Sequence, residues 1–272
     1  MIPNGSFKAR LIAAALFLGL STAAVADTAA GVKALADKDY AAAYRELKAG
    51  ADRGEAAAQA NLAIMYARGL GVDQDMPQAM KLWEMAADKG NAQAELFLGL
   101  TYAKGWGVQQ NYAEASHWYQ MAADQGDTHA QSAIAELYED GFGVPQDYKV
   151  AARYFRSAAD RGLARAQFSY GDLVERGKGV KRDQAEAFAW YLKAAKQGYS
   201  PAQEKVGAMY AAGMGVTADP TQAYFWSTLA AKQNEKNAEK RLAALEAKLS
   251  KEQASQVNQS VKNWKPVMAS AK

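Results

Sequence analysis

The chain has 272 residues, half of them hydrophobic, with 32 Lys and Arg, 29 Asp and Glu, 2 His and no Cys. Lys8 and Arg10 are the only charged residues among the first 26, so the remainder carries a formal charge of +1, against +3 for the whole. That balance excludes the basic field that nucleic acid or an anionic membrane requires, and the lack of thiols excludes a disulfide framework and cysteine chemistry.

Lys8 and Arg10 precede an apolar run from Leu11 to Leu20, and the small residues of Ala24-Val25-Ala26 follow. Spanning a bilayer takes about 20 apolar residues. The shorter run fits a secretory signal peptide over 1–26, with cleavage expected after Ala26. A periplasmic product, not inserted in the membrane once the signal is removed, is therefore expected. A partial repeat follows over 27–54. It consists of a short helix from about Thr28 to Ala36 and a second from Tyr40 to Ala51, with Ala43, Leu47 and Ala51 on one face and Gly54 as its stop.

From here a 36-residue period governs the chain. Gly69/Gly71, Gly105/Gly107, Gly141/Gly143, Gly177/Gly179 and Gly213/Gly215 recur in register, each pair followed by Val. Four residues after each pair stands Asp75, Asn111, Asp147, Asp183 or Asp219, side chains that accept a free backbone N–H at a helix start. Pro220 then falls on the first helical position. Ala79, Ala115, Ala151, Ala187 and Ala223, then Leu82, Trp118, Tyr154, Trp190 and Trp226, then paired alanines mark one face of this helix, B. Gly90, Gly126, Gly162 and Gly198 end it, with Asn234 in the last copy. Helix A follows, with Ala94, Ala130, Ala166, Ala202 and Ala238 as its innermost column. Next come Leu98, Ile134, Tyr170, Val206 and Leu242, beside Gly99, Gly171 and Gly207. Tyr66, Tyr102, Tyr138 and Tyr210, with Val174, are expected to fill the next turn of the core.

After the repeats, 235–272 read as a cap. A charged helix runs from Glu235 to Lys248, and Ser250 with Gln253 forms a capping box for a last helix ending near Trp264. The tail from Lys265 is expected to fray. The fold class is therefore all-α: about five full helix-turn-helix repeats over 55–234, flanked by a partial repeat and capping helices. Arrays of this kind exist because one such hairpin cannot bury enough surface alone.

The columns A-x3-LG-x2-Y-x2-GxGV-x2-D-x3-A-x2-W-x3-AA-x2-G stand almost whole from Ala94 to Gly126. This pattern resembles the Sel-one-like repeat, a subfamily of the tetratricopeptide-type solenoids. The resemblance implies a right-handed α/α superhelix with the A helices along its concave side. It also implies scaffolds and regulators of the bacterial envelope: partners of sensor kinases, polysaccharide secretion or motility machinery. Cysteine-rich relatives are linked with β-lactam binding or hydrolysis, but this chain lacks their stapling cysteines.

No H-E-x-x-H, G-x-S-x-G or G-x-x-x-x-G-K-[ST] motif is present, and His117 and His129 occupy freely varying columns. Neither catalysis, a cofactor nor a metal is expected. The acidic pairs Glu136/Asp140 and Asp172/Glu175 could imitate a glycosidase dyad, and the aromatic columns a sugar platform. A mixed-charge surface and core packing account for them more simply. The variable stripe on helix A is the candidate partner groove: Asn61, Ile64, Arg68, Phe97, Leu100, Lys104, Glu136, Asp140, Asp172 and Arg176. It is apolar around Phe97 and Leu100, with acidic and basic groups further on, and suits an extended peptide or a helix of a partner protein. The expected function is that of a non-catalytic, partner-binding adaptor. An enzyme of the cell-wall or β-lactam type and a glycan-binding module are the alternatives.

Overall fold

The structure, a computed structural model, describes residues 28–267. The expected signal peptide with its cleavage point, and the tail from residue 268, lie outside them. Fourteen helices and no strand occur among the described residues. They fall into two compact units, divided after Gln125. The first holds α1 (28–36), α2 (Tyr40–Asp52), α3 (Ala56–Arg68), α4 (Met76–Ala87), α5 (Ala92–Lys104) and α6 (Tyr112–Asp124). The second holds α7 (Thr128–Asp140), α8 (Tyr148–Asp160), α9 (Ala164–Arg176), α10 (Gln184–Lys196), α11 (Ser200–Ala212), α12 (Pro220–Ala231), α13 (Lys236–Glu246) and α14 (Lys251–Asn263). Within each unit, A helix and B helix pack as a pair and the pairs stack, which is the α-solenoid arrangement.

The caps act as the sequence dictates. Asp75, Asn111, Asp147, Asp183 and Asp219 each accept backbone N–H groups from the first turn of a B helix. Ser250 and Gln253 close the reciprocal capping box of α14. The glycine after each B helix has positive φ, and Asn234 takes the same conformation at φ 66°. Asn tolerates that region better than other side chains.

The interior is built from small residues against rings. The alanine columns are buried except at Ala231, and Phe155 and Tyr191 are fully buried. A Cβ added to Gly99 would lie 2.4 Å from the Tyr119 ring, and one added to Gly171 would lie 3.0 Å from Tyr191. These glycines therefore let a whole aromatic ring of helix B seat against helix A. Gly71, Gly107, Gly179 and Gly215, each the second of its pair, have a different task. At Gly179 (φ +71°) an added Cβ would sit 2.1 Å from the carbonyl oxygen of Tyr148, the first residue of α8. The loop backbone thus touches the start of the preceding repeat's B helix.

Two expectations are corrected. The tyrosines Tyr66, Tyr102, Tyr138 and Tyr210 are only half-buried. Val174, the fifth member of that column, is buried as expected, but in the other repeats the core position is one residue earlier, where Met65, Thr101, Leu137 and Met209 are buried. The tyrosine column contributes its backbone instead: Tyr66, Tyr102, Tyr138 and Tyr210 carbonyls accept the N–H of the next helix's N-cap at 2.9–3.0 Å. The tail also holds on beyond Lys265. The Val267 amide donates to the Lys196 carbonyl at 2.8 Å, and Pro266 and Trp264 lie against Gly198.

A polar seam that the periodicity of single helices does not reveal joins successive pairs. Gln59, Gln167 and Gln203 are buried, and each donates from its amide to the carbonyl eight residues earlier, at Ala51, Ala159 and Ala195. Gln167 and Gln203 accept in turn from Gln197 and Gln233 at 2.8 Å. Glu95 occupies this column in the first unit.

Candidate functional site

In the first unit the A-helix stripe converges on one cleft. Ile64 and Leu100 stand one turn before the ends of α3 and α5, and Phe97 lies one turn earlier on α5. Ile64, Arg68, Phe97 and Leu100 line a cleft of about 500 Å³ together with Ala67, Gln74, Met76, Trp83, Trp106 and Gly107. Trp83 supplies the floor. Its ring stacks on Phe97 with centroids 5.2 Å apart, and its N–H donates to the Ala60 carbonyl at 3.3 Å. That bond leaves only the apolar part of the indole to a visitor. Trp106, between the two glycines of its turn, is 51% exposed. Asn61 does not line the cleft; its amide donates to the Ala57 carbonyl at 2.8 Å. Arg68 and Lys104 are exposed and make no ion pair among the described residues.

In the second unit the same stripe is a lattice of charges. Arg165 meets Glu136 at 2.9 Å, and Arg176 meets Asp172 at 2.8 Å and Glu139 at 3.7 Å. Glu175 accepts from Lys205 and from the Tyr191 hydroxyl, both at 2.8 Å. Burial, helped by the negative charges of Asp172 and Asp140, pushes the Glu139 carboxyl above its ordinary range. The Arg176 guanidinium is held more firmly protonated by its bond to Asp172. Asp140 is exposed. Of the acidic pairs in the sequence, Glu136, Asp172 and Glu175 are therefore engaged with cations, and Asp140 makes no ion pair among the described residues.

Trp83, Met76 and Trp106 were not among the residues singled out from the sequence. Trp83 lies mostly in the core, at 2% exposure. The available signal for Trp106 was the apolar residue inside the Gly-x-Gly turn, filled by Leu70, Trp106, Phe142 and Met214 in four of the five repeats. His117 and His129 are both exposed. Among the described residues no group of three His, Asp or Glu could hold a metal ion.

The Sel1 repeat pattern matches residues 56–91, 92–127, 128–163, 164–199 and 200–235 in unbroken succession. The chain belongs to the Sel1 repeat family. Among solved structures, this Sel1 repeat protein is similar to one from Oxalobacter formigenes, with 30% identity, 89% of this chain and 98% of that one covered, and a TM-score of 0.76. It is also similar to a protective antigen of uropathogenic Escherichia coli strains displaying an SLR fold. There the identity is 29% and the TM-score 0.56, over 82% of this chain and 56% of the antigen. No curated protein matches the chain in sequence. Sel1 repeats mediate protein–protein interaction, and the solenoid they build is an interaction scaffold. Among the described residues of this Sel1 repeat protein, no helix is long and apolar enough to cross a membrane.

Proposed function

We propose that this Sel1 repeat protein is a non-catalytic adaptor of the periplasm that binds a partner protein through the exposed side of its A helices, in envelope signalling or assembly. The observation that carries the reading is the cleft of the first unit. Ile64, Phe97 and Leu100, variable A-helix residues from two successive repeats, form one apolar surface beside Arg68 and a half-exposed tryptophan. A repeat fold whose business is protein interaction places its specificity in the columns that its core leaves free. The basic start and apolar run before Asp27 support export.

Crosslinking in intact cells tests the binding surface. A photoreactive residue at Phe97 or Arg176 is expected to capture one protein reproducibly, whereas the same probe at Lys81 or Arg153, exposed on B helices, captures none. Capture from the B helices alone would overturn the assignment. Cell fractionation with N-terminal sequencing tests export, with a periplasmic chain beginning at Asp27 as the expected product.

A further inference from the structure

The A helices of the first unit repeat a two-part unit. An apolar residue, Ile64 or Leu100, is followed one turn later by a cation, Arg68 or Lys104, immediately before the glycine that ends the helix. Both apolar residues line the cleft, and Arg68 lines it with them. Neither cation has an acidic partner among the described residues. In the second unit, by contrast, Arg165, Arg176 and Lys205 are each within 2.9 Å of a carboxylate. An apolar cleft bordered by uncompensated positive charge selects for an occupant that brings its own negative charge.

Resting on the protein-binding reading above, we propose that this cleft recognises a segment of the partner protein in which a bulky apolar side chain is flanked by acidic ones. The apolar side chain enters against the stacked Trp83 and Phe97 rings, beside Trp106, and loses its water there. The flanking carboxylate meets Arg68, whose planar guanidinium can donate to both of its oxygens in a bidentate pair. Lys104 offers a second contact to an acid further along.

Random twelve-residue peptides displayed on phage and selected on the purified full-length protein provide the test. The expected consensus is an aromatic or branched aliphatic residue next to Asp or Glu. For the enriched peptides made synthetically, replacing the acid by its amide, or Arg68 by Gln, should each weaken binding roughly fivefold at low salt and little at high salt. Leu100→Glu should weaken it at least about thirtyfold by placing a charge in the apolar floor. Arg165→Gln, in the second unit, should change nothing and serves as the control. An enriched consensus without acids, or affinities indifferent to Arg68→Gln, overturns the proposal while leaving protein binding intact. Failure to enrich any peptide, together with no capture from Phe97 in cells, overturns the proposal and the protein-binding reading together. Peptides that bind only a concentration-dependent dimer, seen by sedimentation, overturn it in favour of a second copy as the occupant.

Discussion

The two units present the same helix face in the same register, yet they use it in opposite ways. In the first, Ile64, Phe97 and Leu100 leave an apolar cleft, and Arg68, which lines it with them, makes no ion pair among the described residues. In the second, Glu136, Asp172, Glu175, Arg165, Arg176 and Lys205 pair among themselves. A solenoid fixes where a side chain stands without fixing what it does, because the columns off the core are free to vary. Binding capacity is therefore read from what remains unsatisfied, not from how many charges a face carries. A paired charge has already found the contact that a ligand would offer.

The largest test asks whether the interiors are as alike as the faces are different. Trp83→Ala in the first unit and Phe155→Ala in the second remove rings that are 2% and 0% exposed. Each should cost about 4 kcal/mol in denaturant unfolding. Clearly unequal costs would break the equivalence of the two cores. Tyr138→Ala, at a half-buried position, should cost about half as much.

The loops separate the units more finely. A Cβ on Gly179 would meet a backbone oxygen at 2.1 Å, whereas on Gly107 it would meet the Met76 Cβ at 2.9 Å. A backbone oxygen anchored in a helix yields less than a side chain. Gly179→Ala should then cost about 3 kcal/mol and Gly107→Ala about half that, both including the left-handed backbone penalty. Equal shifts in thermal midpoint would show that the second loop is no tighter than the first.

Glu95 gives a third comparison. It is fully buried in the column that Gln167 and Gln203 fill in the second unit. One oxygen accepts from Gln125 at 2.7 Å, and the other has no partner among the described residues. Burial raises its carboxyl pKa, opposed by the Gln125 hydrogen bond and by His117. The unfolded chain releases this proton near pH 4.5, the folded protein only at higher pH. Its stabilising effect is therefore complete below that pH and is lost as pH rises through the folded value. Glu95→Gln supplies the missing donor permanently. It should stabilise by about 1–2 kcal/mol at neutral pH and by progressively less towards pH 4, followed by urea midpoints across that range. The smallest effect concerns the charged lattice. Arg165→Gln should lose about 0.5 kcal/mol at low salt and less at high salt, and Arg68→Gln essentially nothing. A comparable loss at Arg68 would show that its charge is already used within the fold.

Most of the fold was legible because it rests on rules that act within one helix or turn. Asp and Asn at the caps, glycine after each helix and apolar residues at i, i+3/i+4 and i+7 suffice to place α2 to α14. Contacts between repeats were not legible in that way. The Gln59–Glu95–Gln131–Gln167–Gln203 column recurs every 36 residues like the others, but its polarity reads as exposure until the neighbouring helix closes over it. The tyrosine column misled for a related reason. Positions 65 and 66 differ by a rotation of about 100°, and only the packed neighbour decides which faces inward. At the candidate site, Ile64, Arg68, Phe97 and Leu100 were visible as variable positions on one stripe. Trp106 was not, because no helical rule governs a residue inside a turn.

The contact between the Gly179 loop and the first residue of α8 has a bearing on how such a chain can change its length. Loop and helix start lie 31 residues apart and meet backbone to backbone, so a residue gained or lost between them would pull that junction out of alignment. Growth and shrinkage are then confined to whole copies of the 36-residue module. A designer wishing to move the cleft relative to either end should splice entire modules, never single residues.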